Sequence, residues 1–352
     1  MCIFASNIKP KEDPPTLQVG RREYWTVKQV FIINPVAGKQ DASRVLLPRI
    51  RASAEELGLS PIVEITRAPG HARQLAEQYI ADHEPVALYA CGGDGTLNEV
   101  IQSAVGQTNV HVGCLPCGSG NDFIRNFGEK EAFLDVAGQL QAVPAAIDLL
   151  DTSLGYGVDI CAAGLDAKVA YGIPKFRRLP GCGGSMAYNL SIVQAVFSRF
   201  GHRVQVTLDG NTDIRDCMMA AICNGRLYGG GYTAAPYARM DDGLLDVLLI
   251  RPVPRVKLLS FLARYKAGTH LNPDGSVIPE MRRYLQYCRA KEVRLQVLDG
   301  RPIIATVDGE CKPVLDLRVR VAPRMLSILL PRSVAATNPN VIHLRSSTTA
   351  EQ

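Results

Sequence analysis

The chain has 352 residues, a formal net charge of +5, and 47% hydrophobic against 21% charged residues. That length suggests about two domains, each able to bury its own core, and the composition is that of a globular protein rather than a disordered or fibrous one. No apolar stretch approaches the roughly 20 residues that span a bilayer, no signal-peptide core is evident, and basic clusters without interleaved aromatics argue against a nucleic-acid partner.

Residues 1–27 are expected to form a flexible leader. From residue 28 onward strand and helix signals alternate. Val30-Phe31-Ile32-Ile33 is a short buried-strand run. Ala42, Val45, Leu46, Ile50 and Leu57 follow near-helical spacing, with Asp41 as N-cap. A strand over 61–66 and a helix over 71–80 come next, the latter marked by Ala72, Leu75, Ala76, Tyr79 and Ile80. Strand 86–90 runs into Cys91-Gly92-Gly93-Asp94-Gly95-Thr96-Leu97-Asn98-Glu99. Leu97, Val100, Ile101, Ala104 and Val105 then mark one helix face, and Thr96 with Glu99 has capping-box spacing, which predicts a helix start at Thr96. Strand 111–115 closes the alternation. Strands alternating with helices imply a parallel sheet covered on both faces.

Near residue 145 the pattern changes. Strand signals recur at 203–208, 218–223, 244–250, 293–297, 303–307 and 315–321, with Asp-Gly turns at 209–210, 242–243, 299–300 and 308–309. Helices are predicted around 185–199 and 256–266. This half reads as a mainly antiparallel β domain. The Ser/Thr/Asn-rich residues 333–352 are expected to be a frayed tail. The ten cysteines are scattered, several within apolar runs, which favours reduced thiols in a cytosolic protein. Cys114-Leu-Pro-Cys117 has no second pair and is read as coincidental. Basic clusters at Lys175/Arg177/Arg178, Arg251/Arg255/Lys257/Arg264/Lys266 and Arg282/Arg283/Arg289/Lys291 read as solvated faces that also suit an anionic membrane surface.

Three turns carry the chemistry. Asn34-Pro35-Val36-Ala37-Gly38-Lys39, the glycine run at 92–96, and Leu115 through Phe123 all lie at carboxyl ends of predicted parallel strands, the edge where open α/β sheets bind ligands. At the glycine run a strand turns into a helix N-terminus, whose free N–H groups and positive dipole end favour a phosphate. Each turn alone is weak evidence.

Taken together with Asp241-Asp242-Gly243-Leu244-Leu245-Asp246 and Val307-Asp308-Gly309-Glu310, and in that order, these motifs resemble the catalytic family of soluble bacterial diacylglycerol kinases and related lipid kinases, including the sphingosine and ceramide kinases. The resemblance covers about residues 28–332. It implies an α/β fold in two parts: an N-terminal parallel-sheet nucleotide-binding domain over 28–147, completed by 322–332, and a mainly antiparallel β-sandwich lipid domain over 148–321. It implies ATP and Mg²⁺, with Asn34, Thr66, Gly92, Gly93, Asp94, Gly95, Thr96, Leu97, Asn98 and Ser119 on the nucleotide. Lys39 is either a further cation there or part of a surface ion pair. Asp94 would serve the phosphates through Mg²⁺, since two anions repel. Glu310 would be the general base on the lipid hydroxyl, and Asp148 an acidic residue linking metal and active site. Arg239, Asp242 and Leu244 would bind a second, structural Mg²⁺, Asp242 through its carboxylate and the other two through carbonyls.

The expected activity is transfer of the γ-phosphoryl group of ATP to the primary hydroxyl of a lipid, diacylglycerol first. Other lipid acceptors (sphingoid base, ceramide, monoacylglycerol), an NAD kinase-like enzyme and a catalytically inactive lipid-binding regulator are the alternatives. The absence of a G-x-G-x-x-G after the first strand speaks against a dehydrogenase. The expected partners are a lipid met at a membrane surface and a second copy in a homodimer, with the protein cytoplasmic or peripheral at the inner membrane face.

Overall fold

The computed structural model describes residues 27–118, 120–177, 184–197 and 201–337. Ser119, most of the expected leader and most of the expected tail lie outside the described residues.

The first half alternates as its periodicity predicts: β1 (Lys28–Ile33), α1 (Ala42–Leu57), β2 (Ile62–Ile65), α2 (His71–Ile80), β3 (Val86–Gly92), α3 (Asp94–Ala104) and β4 (Val110–Pro116). The four strands pair in parallel in the order β2-β1-β3-β4. All seven residues of β3 are buried, as a central parallel strand covered on both faces requires. One face packs Val30, Leu88, Val112, Leu97 and Val100; the other packs Phe31, Ile33, Tyr89, Leu46 and Ile50. Asp41 caps α1, accepting from the Ser43 N–H at 2.9 Å. Two short helices, α4 (Lys130–Leu134) and α5 (Val136–Leu140), lead to β5 (Val143–Thr152).

The second half is antiparallel. It contains β6 (Gly155–Gly157), β7 (Ile160–Gly164), α6 (Leu165–Arg177), α7 (Gly184–Phe197), β8 (His202–Leu208), β9 (Asn211–Cys217), β10 (Met219–Cys223), β11 (Leu227–Tyr228), β12 (Tyr232–Thr233), β13 (Leu245–Ile250), α8 (Arg255–Ala267), β14 (Leu285–Ala290), β15 (Glu292–Val297), β16 (Ile303–Val307), β17 (Glu310–Val314), β18 (Asp316–Leu330) and α9 (Arg332–Thr337). The six-stranded sheet β14-β13-β10-β7-β16-β17 packs its inner face on β8, β15 and β18. Val204, Val206, Val293, Leu295, Leu317 and Val319 meet Cys161, Ala163, Ile222, Val247, Leu249 and Val307 there.

The 15-residue β18 spans both halves. Ile328 pairs in parallel with Val112, while residues further back pair antiparallel with β5 and β15. One ten-stranded sheet therefore runs through the whole molecule. The register of β18 against β5 shifts between Ala322 and Leu326, a bulge that leaves Arg324 at φ 52°.

Candidate active site

The three predicted turns meet. Gly118 and Gly93 approach so closely that a Cβ on Gly118 would stand 2.4 Å from the Gly93 Cα. A Cβ on Gly38, which holds φ +87°, would stand 2.4 Å from the Cys117 carbonyl oxygen. Asn34 donates its side-chain N–H to the Thr96 hydroxyl at 3.0 Å, and the Cys117 N–H reaches the Gly92 carbonyl at 2.8 Å. Small residues at these positions let three backbones close around one point. At that point Gly95 is exposed, with nothing within 4 Å of a Cβ added to it. The first turn of α3 thus presents its N-terminus to solvent space.

Helix α3 begins at Asp94, not Thr96, and the expected capping box does not form. Thr96 is turned to Asn34, and Glu99 accepts from the Gly70 and Ala72 N–H groups at 2.8 and 3.1 Å, capping the neighbouring helix α2 instead. A cross-helix partner outcompetes a local one because Gly70 leaves the first turn of α2 without a capping side chain of its own.

Asp94, in the first turn of α3, receives the Asp122 N–H at 2.8 Å, which fastens the 118–123 loop to the glycine loop. Its other oxygen faces Gly120, where a Cβ would fall 2.6 Å away. Burial, then the nearby Asp122 carboxylate, raises the Asp94 pKa against the opposing backbone N–H groups. Leu97 points into the core and its N–H is taken by the Gly93 carbonyl at 3.1 Å, so it supports the loop and offers no side chain to a ligand. Asn98 is half-buried and accepts from Gln102 at 3.4 Å. Thr66 is buried at the end of β2, its N–H on the Ile33 carbonyl. Lys39 is exposed and makes no ion pair among the described residues, which leaves it to the solvent side of the first turn.

The second half supplies the facing wall. Asp308 and Gly309 form the two-residue turn of the β16–β17 hairpin, at φ 46° and 96°. The Asp308 carboxylate accepts the N–H groups of Val158, Asp159 and Ile160 at 2.6, 3.1 and 2.9 Å. Burial raises its pKa against those three donors, and the Asp94 charge adds to the rise. Asp159, fully buried, is pushed well up by burial and then by Asp308, Asp94 and Asp122. Asp94, Asp122, Asp159 and Asp308 are thus linked through the Asp122 N–H on Asp94, Asn126 on Asp159 and the Asp159 N–H on Asp308, and Glu310 stands exposed at the start of β17, two residues after Asp308.

A hairpin of three successive glycines completes the join. Gly229, Gly230 and Gly231 all have positive φ, and the Gly230 N–H donates to the Asp122 carboxylate at 2.9 Å. Asn126 bridges Asp159 at 2.7 Å and the Arg226 N–H at 2.6 Å. Asp122 and Asp308 lie inside motifs visible in the sequence. Asp159, Asn126 and the glycine hairpin carried no sequence signal, since their partners are about 30 to 110 residues away.

Asp148 does not join this linked set. It is fully buried, with one carboxylate oxygen on the Gly243 N–H at 2.7 Å and the other on the Arg324 N–H at 2.8 Å. It pins the 240–243 turn to the bulge of β18. The Asp242 turn also departs from expectation. Its carboxylate pairs with the Arg289 guanidinium and accepts the Leu244 N–H at 3.1 Å, while Arg239 pairs with Asp241 at 3.0 Å. The guanidinium of Arg289 thus meets the carboxylate that was expected to bind a second Mg²⁺. Among the described residues no three His, Cys, Asp or Glu side chains lie together as a ready metal cage. Asp94 does fit the Mg²⁺ that accompanies a nucleotide, because that ion takes one or two carboxylates and completes its shell with phosphate and water.

The family model of the diacylglycerol kinase catalytic domain matches residues 28–151, and that of the YegS C-terminal NAD kinase beta sandwich-like domain matches residues 159–330. Residues 28–151 thus carry a domain of the diacylglycerol kinase catalytic family. That family places it among phosphotransferases with an alcohol acceptor. A diacylglycerol kinase of Mycobacterium tuberculosis is 28% identical over 322 residues, covering 88% of this chain and 97% of that protein. A diacylglycerol kinase of Bacillus subtilis is 24% identical over 308 residues, covering 87% and 97%. The fold is that of a crystal structure described as a diacylglycerol kinase from Bacillus anthracis str. Sterne, with a TM-score of 0.62 at 15% identity over 87% of this chain and 98% of that one.

Proposed function

We propose that this lipid kinase transfers the γ-phosphoryl group of ATP to the primary hydroxyl of diacylglycerol, giving phosphatidic acid. The observation that carries the reading is the run of hydrogen bonds that joins the open N-terminus of α3 to the turn before Glu310: Asp94 to the Asp122 N–H, Asn126 of the same loop to Asp159, and the Asp159 N–H to Asp308. It supports a reading in which a phosphate-binding turn and the hairpin that carries an exposed carboxylate work together, as in-line transfer to a hydroxyl needs.

In this reading residues 28–147, with 322–332, hold the nucleotide, and 148–321 hold the lipid. The exposed first turn of α3 takes the phosphates, with Asn34, Thr66, Ser119 and the glycine run around them, and Lys39 adds a cation from the first turn. Asp94 holds Mg²⁺, which neutralises charge on the phosphoryl oxygens. Glu310 accepts the proton of the incoming hydroxyl. Asp122 and Asp308 position these groups, one by tying the glycine loop to the Gly230 hairpin and the other by fixing the turn that carries Glu310. Among the described residues no helix is long and apolar enough to cross a membrane, in keeping with an enzyme that meets its lipid at the surface.

The test offers radiolabelled ATP and purified protein to diacylglycerol, monoacylglycerol, ceramide, a sphingoid base and NAD in parallel. Preferential transfer to diacylglycerol supports the reading. Preference for another lipid moves the acceptor assignment, transfer to NAD alone sinks it, and no transfer to any acceptor points to an inactive regulator.

A further inference from the structure

Most residues of helix α8 are exposed. Leu258, Phe261 and Tyr265 fall at i, i+3 and i+7 and bury one face. On the opposite face Val256 is 91% exposed and Leu259 76% exposed, two of the three most exposed large apolar side chains among the described residues. Ser260, Ala263 and Ala267 continue that strip, and all three are exposed. At 3.6 residues per turn, Lys257 and Arg264 border it on one side and Arg255 and Lys266 on the other. An apolar strip between two cationic margins is the pattern of a helix that lies in a membrane interface.

The surroundings share the charge. Residues 251–284 carry seven Lys or Arg and two acids, Asp274 and Glu280, a balance of +5 that equals the formal charge of the whole chain. The Arg251 N–H binds the Tyr284 carbonyl at 2.8 Å, which puts the Arg282–Arg283 segment beside the N-terminal end of α8. Among the described residues Arg251, Lys257, Arg264, Lys266, Arg282 and Arg283 form no salt bridge with an acid, although Lys266 stands over the Tyr232 ring, Arg283 over the Tyr284 ring, and Arg282 donates to the Val277 carbonyl, so the positive charge of this region is not cancelled by acids.

This helix borders the active site. Tyr265 lies against Tyr228 and Tyr232, with ring centroids 6.5 and 6.4 Å away. Those two tyrosines flank the glycine hairpin, whose Gly230 holds Asp122, and Asp122 in turn holds Asp94. The buried face of α8 thus rests on the β-hairpin that is tied through Asp122 to Asp94, and the exposed strip lies on the other side of the helix.

We propose that the outer face of α8 docks the enzyme on an anionic phospholipid bilayer, with Val256 and Leu259 inserted among the headgroups and the flanking cations on lipid phosphates. The proposal extends the lipid-kinase reading by naming the surface through which the acceptor is reached. An exposed apolar strip with uniform positive charge around it complements a negative bilayer, whereas a second copy of the same face would bring like charges together.

Co-sedimentation of the full chain with vesicles tests it without ATP. Wild-type protein is expected to bind phosphatidylglycerol/phosphatidylcholine vesicles, to bind pure phosphatidylcholine weakly, and to release as salt screens the cations. The double variant Val256→Ser/Leu259→Ser and the variant Lys257→Glu/Arg264→Glu should each lose ~10-fold or more in vesicle affinity. Both keep wild-type melting and wild-type turnover on a short-chain diacylglycerol dissolved in water, because none of these residues lies in the catalytic pocket. Unchanged vesicle binding by both variants, or wild-type binding equally strong on neutral vesicles and insensitive to salt, overturns the proposal. So does a wild-type chain that ignores vesicles but self-associates through Val256 and Leu259. A protein that binds vesicles through this strip yet phosphorylates no lipid leaves the docking surface standing and removes the kinase reading alone.

Discussion

Asp94 and Asp242 sit in similar local sequences, each beside a glycine at a turn, and the resemblance implied Mg²⁺ at both. Their surroundings part them. Asp94 is held by N–H groups, and burial and then the Asp122 carboxylate raise its pKa, with no cation of the chain paired to it among the described residues. Asp242 is met by the guanidinium of Arg289 across the β13–β14 pair. The charge that the fold brings opposite a turn carboxylate therefore sets two otherwise similar Asp-Gly turns apart.

The strongest way to break this comparison is Asp94→Ala, which is expected to lower turnover ~1000-fold, the scale of losing a charge-organising group at a phosphoryl centre. Full activity with unchanged Mg²⁺ dependence in a steady-state assay would place the ion elsewhere. Glu310→Gln should lower kcat by ~100-fold, the scale of a lost general base, with little change in the KM for ATP. Near-wild-type turnover at saturating lipid would remove Glu310 from the proton transfer.

A third experiment sharpens the Asp242 side. Without nucleotide, the wild-type melting temperature is expected not to respond to Mg²⁺ or to a chelator. Arg289→Ala leaves Asp242 beside Asp246 with no counter-charge and should cost about 1 kcal/mol, the scale of a partly exposed ion pair. Mg²⁺ should then restore the loss. A wild-type protein that melts earlier in chelator would show that the turn holds metal in spite of Arg289.

The smallest effect concerns pH away from both turns. Burial pushes the His111 pKa down to about 4, and its ring contacts the Ser327 hydroxyl at 2.7 Å across β4 and β18. The folded chain refuses a proton that the unfolded chain takes up below the ordinary value of 6.5. The contribution is fully present above pH 6.5 and is lost as the pH falls toward about 4. Urea midpoints measured across that window should fall less steeply in His111→Gln than in wild type.

Much of the site was legible in order. Hydrophobic periodicity placed β1, β3 and β4 and hence the turns at their carboxyl ends, because side-chain alternation and helical spacing are local properties. Asn34, Gly92–Gly95 and the Asp308-Gly309 turn were likewise readable, since each needs a particular backbone conformation or a close approach. The strand Val143–Thr152, the helix Leu165–Arg177 and the strand Leu285–Ala290 were missed, because their ends carry weak turn signals and their burial comes from neighbours distant in sequence.

The residue sequence alone determined that three glycine-bearing turns follow parallel strands and that a late Asp-Gly-Glu turn accompanies them. Tertiary structure decided which polar groups those turns meet. It gave Glu99 to α2, buried Asp148 between a turn and a strand bulge, set Arg289 against Asp242, and tied the Asp94 loop through Asn126 and Asp159 to the Asp308 turn. The physical reason is range: backbone propensity acts over a few residues, whereas charge and hydrogen-bond partnership depend on which groups the packed core brings within a few ångströms.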